Sequence, residues 1–64
     1  MSTLPTKKEL ANYISYLIKN DWVYFKESAQ YDVDLLNSNE IVPKEEMQQI
    51  AELYGWFEYN NEDY

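Results

Sequence analysis

The sequence predicts an all-α domain. Apolar residues recur at helical spacing over two stretches, a capping-box pattern precedes the first, and a proline and a glycine bracket the second. With 64 residues the chain is one domain, 1–64. Folding it costs roughly 1.5 kcal/mol of conformational entropy per ordered residue, so a short chain must bury much of its apolar surface. Seven Tyr, two Trp and two Phe supply large side chains for that purpose. One Gly and two Pro leave little composition suited to disorder.

The first helix is expected from Thr6. In Thr6-Lys7-Lys8-Glu9 the threonine hydroxyl can accept from the Glu9 amide while the Glu9 side chain reaches back. Ala11, Ile14, Ile18, Trp22, Phe25 and Ala29 then recur at intervals of three and four, widened by Leu10 and Leu17. The unbroken spacing predicts one helix from 6 to about 28. Two features compete with it. Asn20-Asp21 can end one helix and cap another, and Trp22-Val23-Tyr24-Phe25 also suits a strand. The alternative is therefore an α+β fold, with residues 21–33 forming a hairpin with part of 38–42.

Between the helices, Asp34 is placed to cap a short helical turn near 33–37, and Asn37-Ser38-Asn39 reads as a loop. The second helix is expected over 43–54. Pro43 suits a first helical position, Glu45 and Glu46 suit the positive first turn, and Met47, Ile50, Ala51 and Tyr54 form the buried stripe. Gly55 falls at the expected left-handed stop, with Trp56 folding back on Ile50 or Ala51. The expected core is Leu10, Ile14, Leu17, Ile18, Trp22, Phe25, Leu36, Ile41, Met47, Ile50, Ala51, Tyr54 and Phe57. The tail 60–64 is expected to be solvated.

Composition excludes several functions. With no cysteine and no histidine, neither a disulfide framework nor a thiolate or imidazole metal site can form. Asp32-x-Asp34 begins like a calcium loop, but Leu36 takes the next ligand position and the loop glycine is missing. No cofactor or metal is expected. No base stands beside a Ser, Thr or Lys nucleophile, and Glu45-Glu46 are adjacent on a helix and do not converge, so no enzyme is expected. Residues 1–20 lack an apolar leader core and no window of about 18 apolar residues occurs, so neither a secretory leader nor a membrane span is expected. The opening Met and the absence of cysteine point to a cytoplasmic protein. The preference for Lys, Asn, Tyr, Ile and Glu without Arg resembles translation from an AT-rich genome, such as that of a small bacterium, a plasmid or a phage.

Ile50-Ala51-Glu52-Leu53-Tyr54-Gly55-Trp56 resembles the first helix and turn of a helix-turn-helix. The nine residues after Gly55 hold three acids and no base, which phosphates would repel, so the ordinary reading is a helix with a glycine cap.

The remaining signal is charge. The chain has 12 acids and 5 bases, for a net charge of −7. Residues 1–26 carry +2 and residues 27–64 carry −9. This acidity serves solubility or recognition. In the second case the chain is a small acidic protein-interaction module. Its specific form is an inhibitor that occupies the basic, nucleic-acid-binding surface of a partner protein as a DNA mimic. The expected partner-binding residues are Tyr13, Tyr16, Tyr24, Asp32, Asp34, Glu45, Glu46, Glu52 and Glu58, because Tyr offers large contact area at low entropy cost. Neither direct nucleic-acid nor membrane contact is expected. The alternative is a structural or assembly protein, such as a homodimer, that self-associates through its helices. Tyr13, Tyr16 and Tyr24 have a second reading as rings on one flank of the first helix that pack against the second helix by their edges, with their hydroxyls outward.

Overall fold

A computed structural model describes residues 4–59. They form four helices: α1 (Lys7–Lys19), α2 (Lys26–Asn37), α3 (Lys44–Leu53) and α4 (Trp56–Tyr59). The fold is all-α, and the hairpin alternative fails because residues 26–37 are helical and no strand occurs among the described residues. The tail 60–64 lies outside the described residues.

The capping box forms as the sequence predicts. Thr6 Oγ1 accepts from the Glu9 amide at 3.1 Å, and Glu9 Oε1 accepts from the Thr6 amide at 2.9 Å. The single helix from 6 to 28 does not form. α1 ends at Lys19, and Asp21 stands in the left-handed region at φ 63°. The Asp21 amide donates to Ile18 O at 3.0 Å and the Trp22 amide to Leu17 O at 2.8 Å. These two bonds make a Schellman stop with aspartate where glycine is usual. Asn20 Nδ2 adds a bond to Tyr16 O at 2.8 Å. Local capping chemistry at Asn20-Asp21 thus outweighs the apolar spacing, helped by the run Trp22–Phe25, whose aromatic and β-branched residues are middling helix formers.

Residues 26–37 make a second full helix, not a short turn. Asp32 and Asp34 lie inside α2 and cap nothing. The Ser38 hydroxyl donates to Leu35 O at 2.6 Å to close α2. α3 begins one residue later than expected, with Pro43 at the N-cap and its carbonyl accepting from the Met47 amide at 2.9 Å. Gly55 is the left-handed residue after α3, at φ 72°. Its carbonyl then accepts from the Tyr59 amide at 2.9 Å and opens α4.

α1 and α2 form an antiparallel hairpin. At its open end Lys7 Nζ donates to Ser38 O at 2.9 Å and Glu40 O at 2.5 Å, tying the α2–α3 connection to the start of α1. The buried set is Leu10, Ala11, Tyr13, Ile14 and Leu17 from α1, Ala29, Val33 and Leu36 from α2, and Met47, Ile50 and Ala51 from α3. Ile18, Tyr54 and Phe57 pack against it half-buried. Three expected core residues are excluded: Trp22, Phe25 and Ile41 are exposed. Trp22 and Phe25 sit in the α1–α2 connection, where the helical register that would have buried them no longer applies. Ile41 sits in the α2–α3 connection and is 93% exposed.

Candidate functional site: an aromatic groove on an acidic chain

Tyr54 fixes where the three longer helices meet. It caps the end of α3, so its backbone carbonyl is free of the helix ladder. The Tyr13 hydroxyl of α1 donates to that carbonyl at 2.6 Å. The Tyr54 hydroxyl in turn donates to Asp32 Oδ2 of α2 at 2.5 Å. Burial, then the hydrogen bond to Asp32 and its charge, push the Tyr54 phenol well above its usual value. Burial, with smaller effects of the Tyr59 phenol and the Glu58 carboxylate, raises that of Tyr13. Both hydroxyls are therefore held protonated as donors, and α3 is pinned to the middle of both hairpin helices.

A series of ring contacts runs along one flank of α1. Trp56 and Tyr13 meet edge-on with centroids 5.4 Å apart, Tyr13 and Tyr59 at 5.0 Å, Tyr59 and Tyr16 at 6.3 Å, and Tyr16 and Trp22 edge-on at 5.6 Å. These separations are within the range where aromatic pairs attract beyond simple area burial. The series carries contact from α4 to the loop after α1 and positions Trp22.

Beside Trp22 lies a half-open groove of about 240 Å³, between the α1–α2 connection and the end of α3. Leu17, Val23 and Tyr54 form part of its lining, with Trp22, Tyr24, Phe25, Ser28 and Leu53. Four of these are strongly exposed: Trp22 at 62%, Tyr24 at 100%, Phe25 at 75% and Leu53 at 74%. Single exposed apolar side chains are common on monomers, whereas four around one concavity make this groove the candidate contact site.

The expected site residues divide among these features. Tyr13 is 8% exposed and its ring belongs to the core, but its hydroxyl is bound to Tyr54 O and does not face outward as the packing alternative expected. Tyr16 is exposed and spans Trp22 and Tyr59. Tyr24 is at the groove. Asp32 is half-buried behind it, bound to Tyr54. Glu52 precedes the groove residue Leu53 and accepts from Gln48 at 3.2 Å. Glu58, on α4, lies near Tyr13 and raises its pKa. Asp34 is exposed on α2 and accepts from Gln30 at 3.1 Å. Glu45 and Glu46 are exposed in the first turn of α3, about 12 Å along the helix axis from Leu53, so they flank the far end of the molecule and not the groove. Sequence reasoning missed Trp22, Phe25 and Leu53 as surface residues. The signal that could have found the first two was the Asn20-Asp21 pair, which moves Trp22 and Phe25 off the helix.

Between described residues one ion pair forms, Lys26 Nζ to Asp21 Oδ1 at 2.6 Å. Among the described residues no group of three or more His, Cys, Asp or Glu is placed to hold a metal, and no helix is long and apolar enough to cross a membrane. Comparison with known protein families, curated proteins and solved structures returns no match.

Proposed function

We propose that this chain is a small acidic protein-interaction module that binds a basic surface of a partner protein, by which it can act as an inhibitor. The observation that carries the reading is the exposed aromatic group around the groove, set on a molecule of net charge −7. Aromatic anchors supply affinity and acidic surroundings supply on-rate and partner choice. A surface mixing the two fits the reading better than a strict copy of a phosphate backbone. Glu45 and Glu52 are two helical turns apart, about 10 Å, whereas each DNA strand presents a phosphate about every 3.4 Å of axis.

The test is capture from a cell lysate on the tagged full chain, with elution by rising salt and identification by mass spectrometry. The expected result is a protein with a basic, solvent-facing surface, released at moderate salt and lost when Glu45, Glu46 and Glu52 are changed to Lys. Recovery of the chain alone, or capture that the charge reversal leaves intact, counts against the reading.

Self-association is the second reading, favoured by the same exposed apolar group, Trp22, Phe25 and Leu53, which a second copy would cover. Association through apolar contact strengthens with added salt, whereas binding to a basic partner weakens. Sedimentation at low and high salt separates the two.

A further inference from the structure

We infer that the groove beside Trp22 is the seat for one bulky apolar side chain of a cationic segment of a partner protein, flanked there by lysine or arginine. This rests on the interaction-module reading and specifies its contact point.

Size comes first. At about 240 Å³ and half-open, the groove is below the roughly 300–1,000 Å³ of sites that enclose a drug-sized ligand. It suits one inserted side chain. The apolar walls are Leu17, Val23, Phe25 and Leu53, and the Tyr54 hydroxyl is already engaged by Asp32, so the interior offers hydrophobic contact. Among the described residues no charged one lines the groove. The charge that selects a cationic partner is therefore that of the chain as a whole, −7, with Asp32 bound to the Tyr54 hydroxyl and Glu27 and Glu52 next in sequence to Ser28 and Leu53. The nearest lysine in sequence, Lys26, is neutralised by Asp21 at 2.6 Å. Trp22 and Tyr24 leave ring surface open to solvent, which receives guanidinium or ammonium groups by cation–π attraction. A second copy of this chain fits less well, because a two-fold contact brings together two chains that each carry a net charge of −7.

The experiment titrates the full chain with a synthetic helix-forming peptide carrying lysines and arginines around a single central Phe, and with its Phe→Ser counterpart. Two-dimensional amide spectra and fluorescence anisotropy are read at low salt. The expected result is shifts centred on Trp22 (including its indole N–H), Val23, Phe25 and Leu53. Phe25→Ala, Leu53→Ser and the serine peptide should each weaken binding by about tenfold, as loss of an interface anchor does. Glu45→Lys/Glu46→Lys should change it much less. Circular dichroism checks the fold of each variant, and Tyr24→Ala serves as a further probe, since Tyr24 is wholly exposed.

Shifts spread over the start of α3, with binding indifferent to Phe25→Ala and Leu53→Ser, would overturn the groove while leaving the acidic-module reading standing. Equal binding of an uncharged peptide would overturn the cationic assignment. Dimerisation abolished by Leu53→Ser would give the groove to a second copy and overturn the proposal. Absence of peptide binding alongside salt-sensitive capture from lysate would overturn the groove alone.

Discussion

Asp21 carries the turn between α1 and α2 in a backbone conformation that few L-residues adopt. Aspartate tolerates the left-handed region better than most, but glycine has no Cβ penalty there. Asp21→Gly should therefore raise unfolding free energy by about 0.5 kcal/mol, the relief of strain slightly exceeding the entropy glycine adds to the unfolded chain. Asp21→Val should lower it by about 1–2 kcal/mol, because a β-branched side chain at positive φ is strongly disfavoured. Both variants lose the exposed pair with Lys26, so their difference isolates the backbone contribution. Urea titration followed by circular dichroism measures it. Equal effects of the two would mean that residue 21 is not left-handed in solution. Tyr54 invites a different test. Its phenol is raised by burial and by Asp32, so the folded state keeps a proton that the unfolded chain releases above about pH 10. The corresponding stability is fully present below about pH 10 and is lost as pH rises from there toward the folded value. Tyr13 acts in the same direction. Tyr54→Phe leaves Asp32 half-buried without its donor and should cost about 1–2 kcal/mol at pH 7. It should also make the fall in stability between about pH 10 and pH 12 shallower than in the parent chain. Parallel pH profiles for the two proteins would show that the hydroxyl is not held by the fold.

Among the helices, what the sequence made legible depended on whether a signal was local. The capping box at Thr6-Glu9, the first turn of α3 and the stop at Gly55 each need only a few neighbouring residues, and each forms. The end of α1 was hidden because Ile18, Trp22, Phe25 and Ala29 keep helical spacing across a loop. Only Ala29 returns to the core, on a new helix. Periodicity counts residues and is blind to a break that preserves the count. The acidity of the chain was visible in composition, since charge needs no fold to be read. The groove was not, because Phe25 and Leu53 meet only once the hairpin tip and the end of α3 are brought together by Tyr13, Tyr54 and Asp32. Lys7 was likewise unremarkable until Ser38 and Glu40 came within its reach. Lys7→Met keeps the apolar stem and removes the charged donor. It should cost about 1 kcal/mol by urea titration and speed amide exchange in residues 39–42. Unchanged exchange there would show that the connection is held by other contacts.

Over the full chain, an acidic surface is set against a small core. Among the described residues only Leu10 and Ile14 are both large and fully buried. Few cations offset the carboxylates, and one ion pair joins described residues. A net charge of −7 on a molecule whose longest Cα dimension is 31 Å therefore repels itself throughout when screening is weak. The screening length is about 30 Å at 10 mM ionic strength, comparable with the molecule, and shrinks below about 10 Å above 0.1 M. Raising sodium chloride from about 10 mM to about 0.5 M should then stabilise the fold by about 1 kcal/mol, visible as a rise in Tm of about 4–8 °C. Sodium chloride is the right salt, because sulfate would strengthen burial on its own account. Glu45→Lys/Glu46→Lys removes four units of net charge without touching the core and should flatten the salt response, while the loss of two acids from the positive first turn of α3 offsets part of the gain in Tm at low salt. The same repulsion is what a basic partner relieves on docking, so a chain whose stability climbs with salt should climb similarly on binding one. A Tm that falls with salt would mean that attractive pairs, such as Lys7 with the loop carbonyls and Lys26 with Asp21, outweigh the repulsion, and that the acidic surface is already balanced within the fold.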